Sequence, residues 1–287
     1  MSVAPYTLTM PKRRTTGVVV ASPHSGRYYP ADFLRASVLG ERMLRSSEDA
    51  FVDDLLEGVP GLGAPLLAAT HPRAWLDLNR AADELDPAVI EGVAMSAHNP
   101  RISSGLGVIP RVVAGGRAIY RGKVPSSEAE RRLLAVWQPY HECLGQLMQE
   151  ARATFGIAVL LDIHSMPHEA MDSIAAAGAR RPEIVLGDRY GASAAPAVVE
   201  SVEAAFEAAG LRTLRNAPFA GAYVAQTYGR PSRGQHALQI EIDRSLYMNE
   251  IEIRPNGNFA AFRALLTGIL AGLMGLAEGG DLPLVAE

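Results

Sequence analysis

The sequence predicts an α/β protein in which helices cover both faces of a central sheet, a three-layer sandwich. Short strands rich in β-branched residues alternate with amphipathic helices along the whole length, which is the pattern of such a fold. The 287 residues contain no proline- and serine-rich linker, no run of like charges and no repeat of fixed period. We therefore expect a single domain over residues 1–287.

The strand predictions depend on short apolar runs that end at polar or turn-forming residues. They fall at residues 17–22, 67–70, 75–78, 157–163 and 237–242. The run at 157–163, IAVLLDI, is apolar on both faces, so we expect it at the centre of the sheet.

The helix predictions depend on apolar residues that recur at helical spacing and on capping residues. They cover residues 48–59 after Ser46 and Ser47, 127–155 with a capping box, 195–209 and 258–277. Residues 99–122 are rich in glycine and proline, and we expect a hairpin insertion or a functional loop there.

Composition excludes several classes of protein. A hydrophobic fraction of 48% with 20% charged residues is not that of a disordered chain, and one cysteine cannot build a disulfide framework. The net charge of −4 provides no general attraction to nucleic acid or to an anionic membrane. The first ten residues lack the layout of a signal peptide, and the apolar stretch 264–277 is too short to span a bilayer. We expect a soluble, cytoplasmic protein that binds neither nucleic acid nor membranes.

Two histidines directly follow predicted strands, where α/β proteins bind their ligands. His24 lies in SPHSG, in which Pro23 restricts the backbone and Gly26 permits a turn with positive φ. His164 follows the central strand, and Asp162 shares its face of that strand, as a carboxylate that orients a metal-binding or catalytic histidine does. The alternatives are a turn-capping role for His24 and a buried ion pair for Asp162 and His164.

An acidic side chain near these histidines would complete a metal site. Glu48 and Asp49 begin the helix predicted after Ser47, where a carboxylate also interacts favourably with the helix dipole. Two histidines and one carboxylate with an open position are the ligand set of catalytic zinc sites.

Glu241 lies within the apolar strand at 237–242, on the same face as Gln239 and Asp243. A carboxylate in such a strand is costly unless it is paired or functional. A general base beside a metal is one explanation, and a salt bridge to Arg244 or another arginine is the other.

Arginine and asparagine side chains could recognise an anionic substrate. Asn79 and Arg80 end the segment DLNR, and a guanidinium binds a carboxylate through two parallel hydrogen bonds. Arg111, Arg121 and Arg230 lie in loops flanked by glycine or proline and are further candidates. A solvated surface position is the alternative for Arg80.

Six segments in order resemble the N-formylglutamate amidohydrolase family. They are SPHSG at 22–26, DLNR at 77–80, GLGVIPR at 105–111, DIHSM at 162–166, GD at 187–188 and QIEID at 239–243. The family is related to zinc carboxypeptidases and to aspartoacylase-like deacylases. The resemblance therefore implies a phosphorylase/hydrolase-like, zinc-carboxypeptidase-like sandwich with a mixed, mainly parallel sheet.

The resemblance also implies a function and a set of roles. It implies hydrolysis of N-formyl-L-glutamate, a small anionic N-acyl amino acid, to formate and L-glutamate in histidine degradation. His24 and His164 would bind Zn²⁺, Glu241 would be the general base, and Asp162 would orient His164. Asn79 and Arg80 would bind one substrate carboxylate, with Arg111 or Arg121 at the other.

One position departs from the related carboxypeptidases, which take their acidic ligand three residues after the first histidine. That position is Arg27 here. We therefore expect Asp49 as the third ligand, with Glu48 as the alternative. Two other functions remain open: a zinc-dependent deacylase of another N-acyl amino acid, and a metal-free binding protein for amino-acid-like anions.

Overall fold

A computed structural model describes residues 3–94, 99–172, 174 and 181–277. Its strands are β1 (Tyr6–Thr9), β2 (Val18–Ser22), β3 (Leu66–Ala69), β4 (Val112–Val113), β5 (Arg117–Ala118), β6 (Ala158–Met166), β7 (Ile184–Gly187), β8 (Thr213–Arg215), β9 (Gln235–Asp243), β10 (Met248–Asn249) and β11 (Arg254–Pro255). Seven of these strands form one sheet in the order β1-β3-β2-β6-β9-β7-β8.

The large sheet is mixed and mainly parallel, as predicted. Strands β2, β6 and β9 run parallel to one another, whereas β7 runs antiparallel to β9 and parallel to β8. Strand β6 lies in the middle of the order, and every one of its residues is buried. This confirms the central position predicted from the apolar run IAVLLDI.

The α-helices are α1 (Ala31–Ala36), α2 (Glu41–Leu44), α3 (Val52–Leu55), α4 (Pro100–Ser103), α5 (Ser126–Arg132), α6 (Gln138–Phe155), α7 (Pro196–Ala208), α8 (Tyr223–Tyr228) and α9 (Phe259–Leu273). Helices α5 and α6 are joined by a π-helical turn at Leu133–Trp137, so residues 126–155 are helical, close to the prediction. The predicted capping box is not used, because the N-cap is Pro125 and no side chain caps this helix.

Two of the predicted secondary-structure elements are wrong. Residues 75–78 form no strand, because the backbone N–H groups of Trp75 and Leu76 donate to the carbonyl of Pro72 and close a turn. The helix predicted at 48–59 is reduced to α3, because its N-cap residue, Phe51, adopts a left-handed conformation with φ of 67°. Glu48 and Asp49 therefore precede the helix.

Contacts divide the chain into two compact units. The first consists of Met1–Thr7, Pro23–Ala50 and Ala68–Cys143, and it contains the short helices α1, α2 and α4. The second consists of Leu8–Ser22, Phe51–Leu67 and Leu144–Glu287, and it contains β2 and the strands from β6 to β9. A single domain over residues 1–287 stays a prediction.

Segment 99–122 belongs to the first unit. It contains α4, which Asn99 caps through its side-chain oxygen, and the antiparallel pair of β4 with β5. Val108 and Ile109 between these elements are fully buried, so the segment is anchored in a core.

One helical segment, Phe259–Ala277, is long and apolar enough by length and composition to cross a membrane. The helix begins five residues before the apolar stretch 264–277, so it exceeds the length on which the prediction of too short a segment depended. Buried core helices of globular proteins meet the same criterion, and 28% of the 18-residue apolar window in this segment is buried, including Phe262, Leu266 and Leu270.

Candidate active site

Polar side chains gather on one face of two neighbouring strands. In the parallel pairing of β6 with β9, Asp162 lies opposite Gln239 and His164 lies opposite Glu241. Residues that are paired across strands and separated by two along them share one face of a sheet. Both strands also contain apolar residues such as Leu160 and Ile240, both fully buried, and these four polar groups are themselves buried.

His24 lies two residues beyond the end of β2, the strand next to β6. Its carbonyl accepts a hydrogen bond from the backbone N–H of Asp49 at 3.0 Å, which brings the two residues together. Gly26 is required for space rather than for the positive φ that we predicted. A Cβ atom there would lie 2.2 Å from the carbonyl oxygen of His71.

His24, Asp49 and His164 each offer one potential metal-binding atom, and these atoms lie within 4.8 Å of one another. All three residues are buried. The Nδ1 atom of His24 lies 3.5 Å from Oδ2 of Asp49. This exceeds an ordinary hydrogen bond but matches the ~3.4 Å edge of a tetrahedron with zinc–ligand bonds of about 2.1 Å.

Each histidine of this group is held by a carboxylate through Nε2. The Nε2 atom of His24 lies 2.7 Å from Oδ1 of Asp77, and that of His164 lies 2.9 Å from Oδ2 of Asp162. Such a bond fixes the orientation of the ring and directs Nδ1 toward a metal. The Asp162–His164 pair predicted from spacing is therefore present.

The chemistry of these residues fits a zinc ion. Two imidazole nitrogens and one carboxylate oxygen are the ligands of catalytic zinc sites with an open position. Oδ1 of Asp162 is buried and has no hydrogen-bond partner among the described residues. A buried carboxylate that is incompletely hydrogen-bonded is stabilised by a nearby cation, and His164 would link Asp162 to a bound one.

Glu48 lies outside this group, although it is next in sequence to Asp49. Its carboxylate accepts hydrogen bonds from Nε and Nη2 of Arg45, both at 3.0 Å, and from the hydroxyl of Tyr29 at 3.0 Å. Burial raises the pKa of Glu48, and the bonds to Arg45 and Tyr29 oppose that rise. These contacts favour Asp49 as the acidic ligand.

Asp77 is a site residue that our sequence reasoning did not assign. It is 1% exposed, and besides His24 it accepts from Nε of Arg73 at 3.0 Å and from the backbone N–H of Asn79 at 2.8 Å. Burial alone would raise the pKa of Asp77, but the charges of Arg73, His24 and Arg80 lower it well below the usual value. In the sequence, the only indication of this role is that Asp77 begins the segment DLNR, which also contains Asn79 and Arg80.

Arg80 is buried rather than solvated at the surface, with 6% exposure. Its Nε donates to the carbonyl of Leu106 at 2.8 Å, and its Nη1 donates to the carbonyl of Asn79 at 2.7 Å. Within the described residues Nη2 makes no hydrogen bond, so this end of the guanidinium can receive an anion. Burial lowers the pKa of Arg80, partly offset by Asp77, yet arginine keeps its charge in proteins.

The other candidate arginines differ in their surroundings. Arg111 donates from Nε to the buried carboxylate of Asp86 at 2.9 Å and from Nη2 to the carbonyl of Ser103 at 3.2 Å. These bonds tie the 99–122 segment to Asp86. Arg121 and Arg230 are exposed at the surface. A substrate-binding role for Arg111 or Arg121 stays a prediction.

Glu241 is 7% exposed, and its Oε1 accepts a hydrogen bond of 2.8 Å from Nε2 of Gln239. Arg244, the alternative partner, donates from Nε to the hydroxyl of Ser165 at 3.2 Å and lies 3.9 Å from Glu250. Glu241 lies opposite His164 in the pairing of β6 with β9, so the two side chains share one face of the sheet.

The model of the N-formylglutamate amidohydrolase family matches residues 16–248. An N-formylglutamate deformylase of Pseudomonas aeruginosa is 33% identical over 248 residues, covering 83% of this chain and 85% of that protein. One of Pseudomonas putida is 30% identical over 242 residues, covering 82% and 83%. The crystal structure of an N-formylglutamate amidohydrolase from Ralstonia eutropha superposes with a TM-score of 0.89 at 37% identity, covering 96% of this chain and 99% of that one.

Proposed function

Because the chain belongs to the N-formylglutamate amidohydrolase family, we propose that it hydrolyses N-formyl-L-glutamate to formate and L-glutamate with the help of zinc. The observation that supports zinc dependence is the buried group of His24, Asp49 and His164. The proposal includes a role in histidine degradation and a cytoplasmic location.

His24, Asp49 and His164 would hold the metal, and Asp77 and Asp162 would keep the two imidazole rings oriented through their Nε2 atoms. Zinc bound by these residues would lower the pKa of a coordinated water to about 7 and would polarise a carbonyl oxygen.

Glu241 would be the general base. Its carboxylate would accept a proton from the attacking water, whose oxygen forms a bond to the formyl carbon. It would then deliver that proton to the nitrogen as the C–N bond breaks, which releases formate and the amine of glutamate. Glu241 is 7% exposed, so bulk water would have little access to this proton.

Arg80 would bind one substrate carboxylate through Nη2, with Asn79 beside it. The carbonyl oxygens of Leu106 and Asn79 hold the guanidinium before the substrate arrives, so little side-chain entropy remains to be lost on binding. Arg111 or Arg121 would interact with the second carboxylate.

The test combines metal analysis with formate release from a panel of N-formyl and N-acetyl amino acids, with N-formyl-L-glutamate as the reference. We expect about one zinc per chain and preferred release of formate from N-formyl-L-glutamate. Faster release of another acyl group would indicate a deacylase of a different substrate. Tight binding of the panel without turnover or zinc would indicate a metal-free binding protein.

The Glu241→Gln variant tests the chemical step within the same assay. It preserves the shape of the side chain and removes the base, so kcat should fall by about 10²–10⁴ while zinc content and substrate binding stay near wild type. If the variant holds zinc and turns over within a few-fold of wild type, the base would have to be sought at Glu48 or Asp162.

A further inference from the structure

We propose that Gln239 is a positioning residue that holds the carboxylate of Glu241 in the orientation needed for proton transfer. The proposal rests on the function proposed above, in which Glu241 is the general base. Gln239 is 5% exposed and lies two residues before Glu241 on the same face of β9.

The hydrogen bonds of Gln239 decide which way its amide group points. The backbone N–H of Ala222 can only donate, and it lies 3.2 Å from Oε1 of Gln239. The amide nitrogen must therefore lie at the opposite side, where it donates to Oε1 of Glu241 at 2.8 Å. The side chain of Gln239 thus links the backbone at Ala222 to the carboxylate of Glu241 through two hydrogen bonds.

The backbone at Ala222 is itself held close to the sheet by a glycine. Gly187, at the end of β7, lies opposite Gln239 in the antiparallel pairing of β7 with β9. A Cβ atom at Gly187 would lie 2.6 Å from the backbone nitrogen of Gly221, so a side chain there would push this segment away. Only glycine at 187 therefore lets residues 219–222 approach Gln239.

Asn216, three residues before this segment, contacts the residue that follows β7. It adopts a left-handed conformation with φ of 60°, and its Oδ1 accepts from the backbone N–H of Asp188 at 3.1 Å. Its Nδ2 donates to Oδ1 of Asp188 at 2.6 Å. The backbone N–H of Arg189 also donates to the carbonyl of Ala220 at 2.7 Å, so hydrogen bonds hold this stretch of chain against the residues that follow β7.

This arrangement matters for catalysis because the general base must reach a proton at hydrogen-bond distance. With Oε1 anchored by Gln239, the Glu241 carboxylate cannot rotate without losing a buried, charge-assisted hydrogen bond. A misplacement of about 1 Å in such a group can reduce the rate by about 10²-fold.

Two variants separate the alignment of Glu241 from simple packing. Gln239→Leu removes the hydrogen bonds to Ala222 and Glu241 at similar volume. Gln239→Glu keeps the acceptor for Ala222 but replaces the donor to Glu241 by a carboxylate. We expect kcat for N-formyl-L-glutamate to fall about 10- to 100-fold in both, with KM changed less than threefold and zinc content unchanged. The control is Gln146→Leu, which removes an exposed glutamine–glutamate bond of 2.9 Å to Glu150 and should leave kcat unchanged.

The decisive comparison adds Gln239→Leu to Glu241→Gln. If Gln239 acts through Glu241, the double variant should have a kcat within twofold of Glu241→Gln alone, because the group being positioned is already gone. If the fold-reductions in kcat of Gln239→Leu and Glu241→Gln multiply in the double variant, the proposal is wrong. It is also wrong if Gln239→Leu and Gln239→Glu both have the kcat of the wild type.

Crystal structures of the wild type and Gln239→Leu provide a readout that needs no activity. The Glu241 carboxylate should leave its wild-type position in the variant. An unchanged carboxylate would overturn the positioning role even if the enzyme is active. Absence of formate release by the wild-type protein, with a displaced carboxylate in the variant, would instead refute the proposed function alone.

Discussion

The Nε2 atom of His24 lies 2.7 Å from Oδ1 of Asp77, and both side chains are 1% exposed. Asp77 also accepts hydrogen bonds from Arg73 and from the backbone of Asn79. The Nε atom of Arg80 lies 4.0 Å from Oδ2 of Asp77. The carboxylate that orients His24 is therefore itself surrounded by groups of Arg73, Asn79 and Arg80.

The first prediction concerns this support of His24. Asp77→Asn should weaken zinc binding by a factor of about 10–100, because the imidazole loses a charged acceptor that fixes its orientation. Competition with a chelator of known affinity measures the zinc Kd, and excess zinc should restore part of the activity. The control is Asp86→Asn, a buried aspartate bonded to Arg111. Equal zinc affinity in the two variants would contradict the role of Asp77.

The second prediction distinguishes the two neighbouring acidic residues. Asp49→Asn should reduce zinc to below about 0.2 equivalents per chain, because one of three ligands is lost. Glu48→Gln should retain zinc but lower the free energy of unfolding by about 1–3 kcal/mol, because Arg45 and Tyr29 lose an ionised partner. Elemental analysis and denaturant unfolding measure the two effects. Loss of zinc in Glu48→Gln, with zinc retained in Asp49→Asn, would make Glu48 the ligand.

The third prediction concerns Arg80. Arg80→Lys should lower kcat/KM for N-formyl-L-glutamate by one to three orders of magnitude, since losing a guanidinium contact to a carboxylate costs about 1.5–3 kcal/mol or more. Steady-state kinetics and thermal unfolding should be measured together. Unchanged kinetics, or a large fall in Tm with a normal kcat/KM, would assign Arg80 a structural role.

The fourth prediction concerns acid stability. His141 is buried, donates from Nε2 to the carbonyl of Leu78 at 3.0 Å and lies against the ring of Trp137. Burial lowers the pKa of His141 to about 4, although the bond to Leu78 opposes this shift. The unfolded chain, with a histidine pKa near 6.5, therefore binds a proton first, and folding stability falls from about pH 6.5 to about pH 4.

Measurement of the free energy of unfolding of the wild type and His141→Asn at several pH values tests this. The stability advantage of the wild type at pH 7 should shrink by about 2 kcal/mol at pH 4.5, because only the wild type carries this titration. His71, whose pKa burial also lowers to about 4, is present in both proteins and cancels in the difference. A difference that is independent of pH would contradict the prediction.

The sequence alone determined the class of fold and the two histidines that the structure brings together with Asp49. The run IAVLLDI could be recognised as a central strand because a strand buried on both faces has no polar alternation. Asp162 and His164 could be paired because strand geometry places residues two apart on one face. His24 could be found because it follows a strand at the edge where α/β proteins bind ligands, whereas the role of Glu241, inferred from the cost of a carboxylate in a buried strand, stays a prediction.

Tertiary structure decided which residues contact one another over long distances in the sequence, which local spacing does not encode. Glu48 and Asp49 are adjacent in sequence, and only the structure shows which of them lies beside His24. The backbone N–H of Asp49 donates a hydrogen bond to the carbonyl of His24, and Phe51 adopts a left-handed conformation just after it. Asp77 reaches His24 across 53 residues of chain, a pairing that no periodicity encodes. Trp75 and Leu76 have strand-like composition but close a turn on Pro72. In each case a long-range or turn hydrogen bond overrides local preference, because buried polar groups must find partners wherever the fold places them.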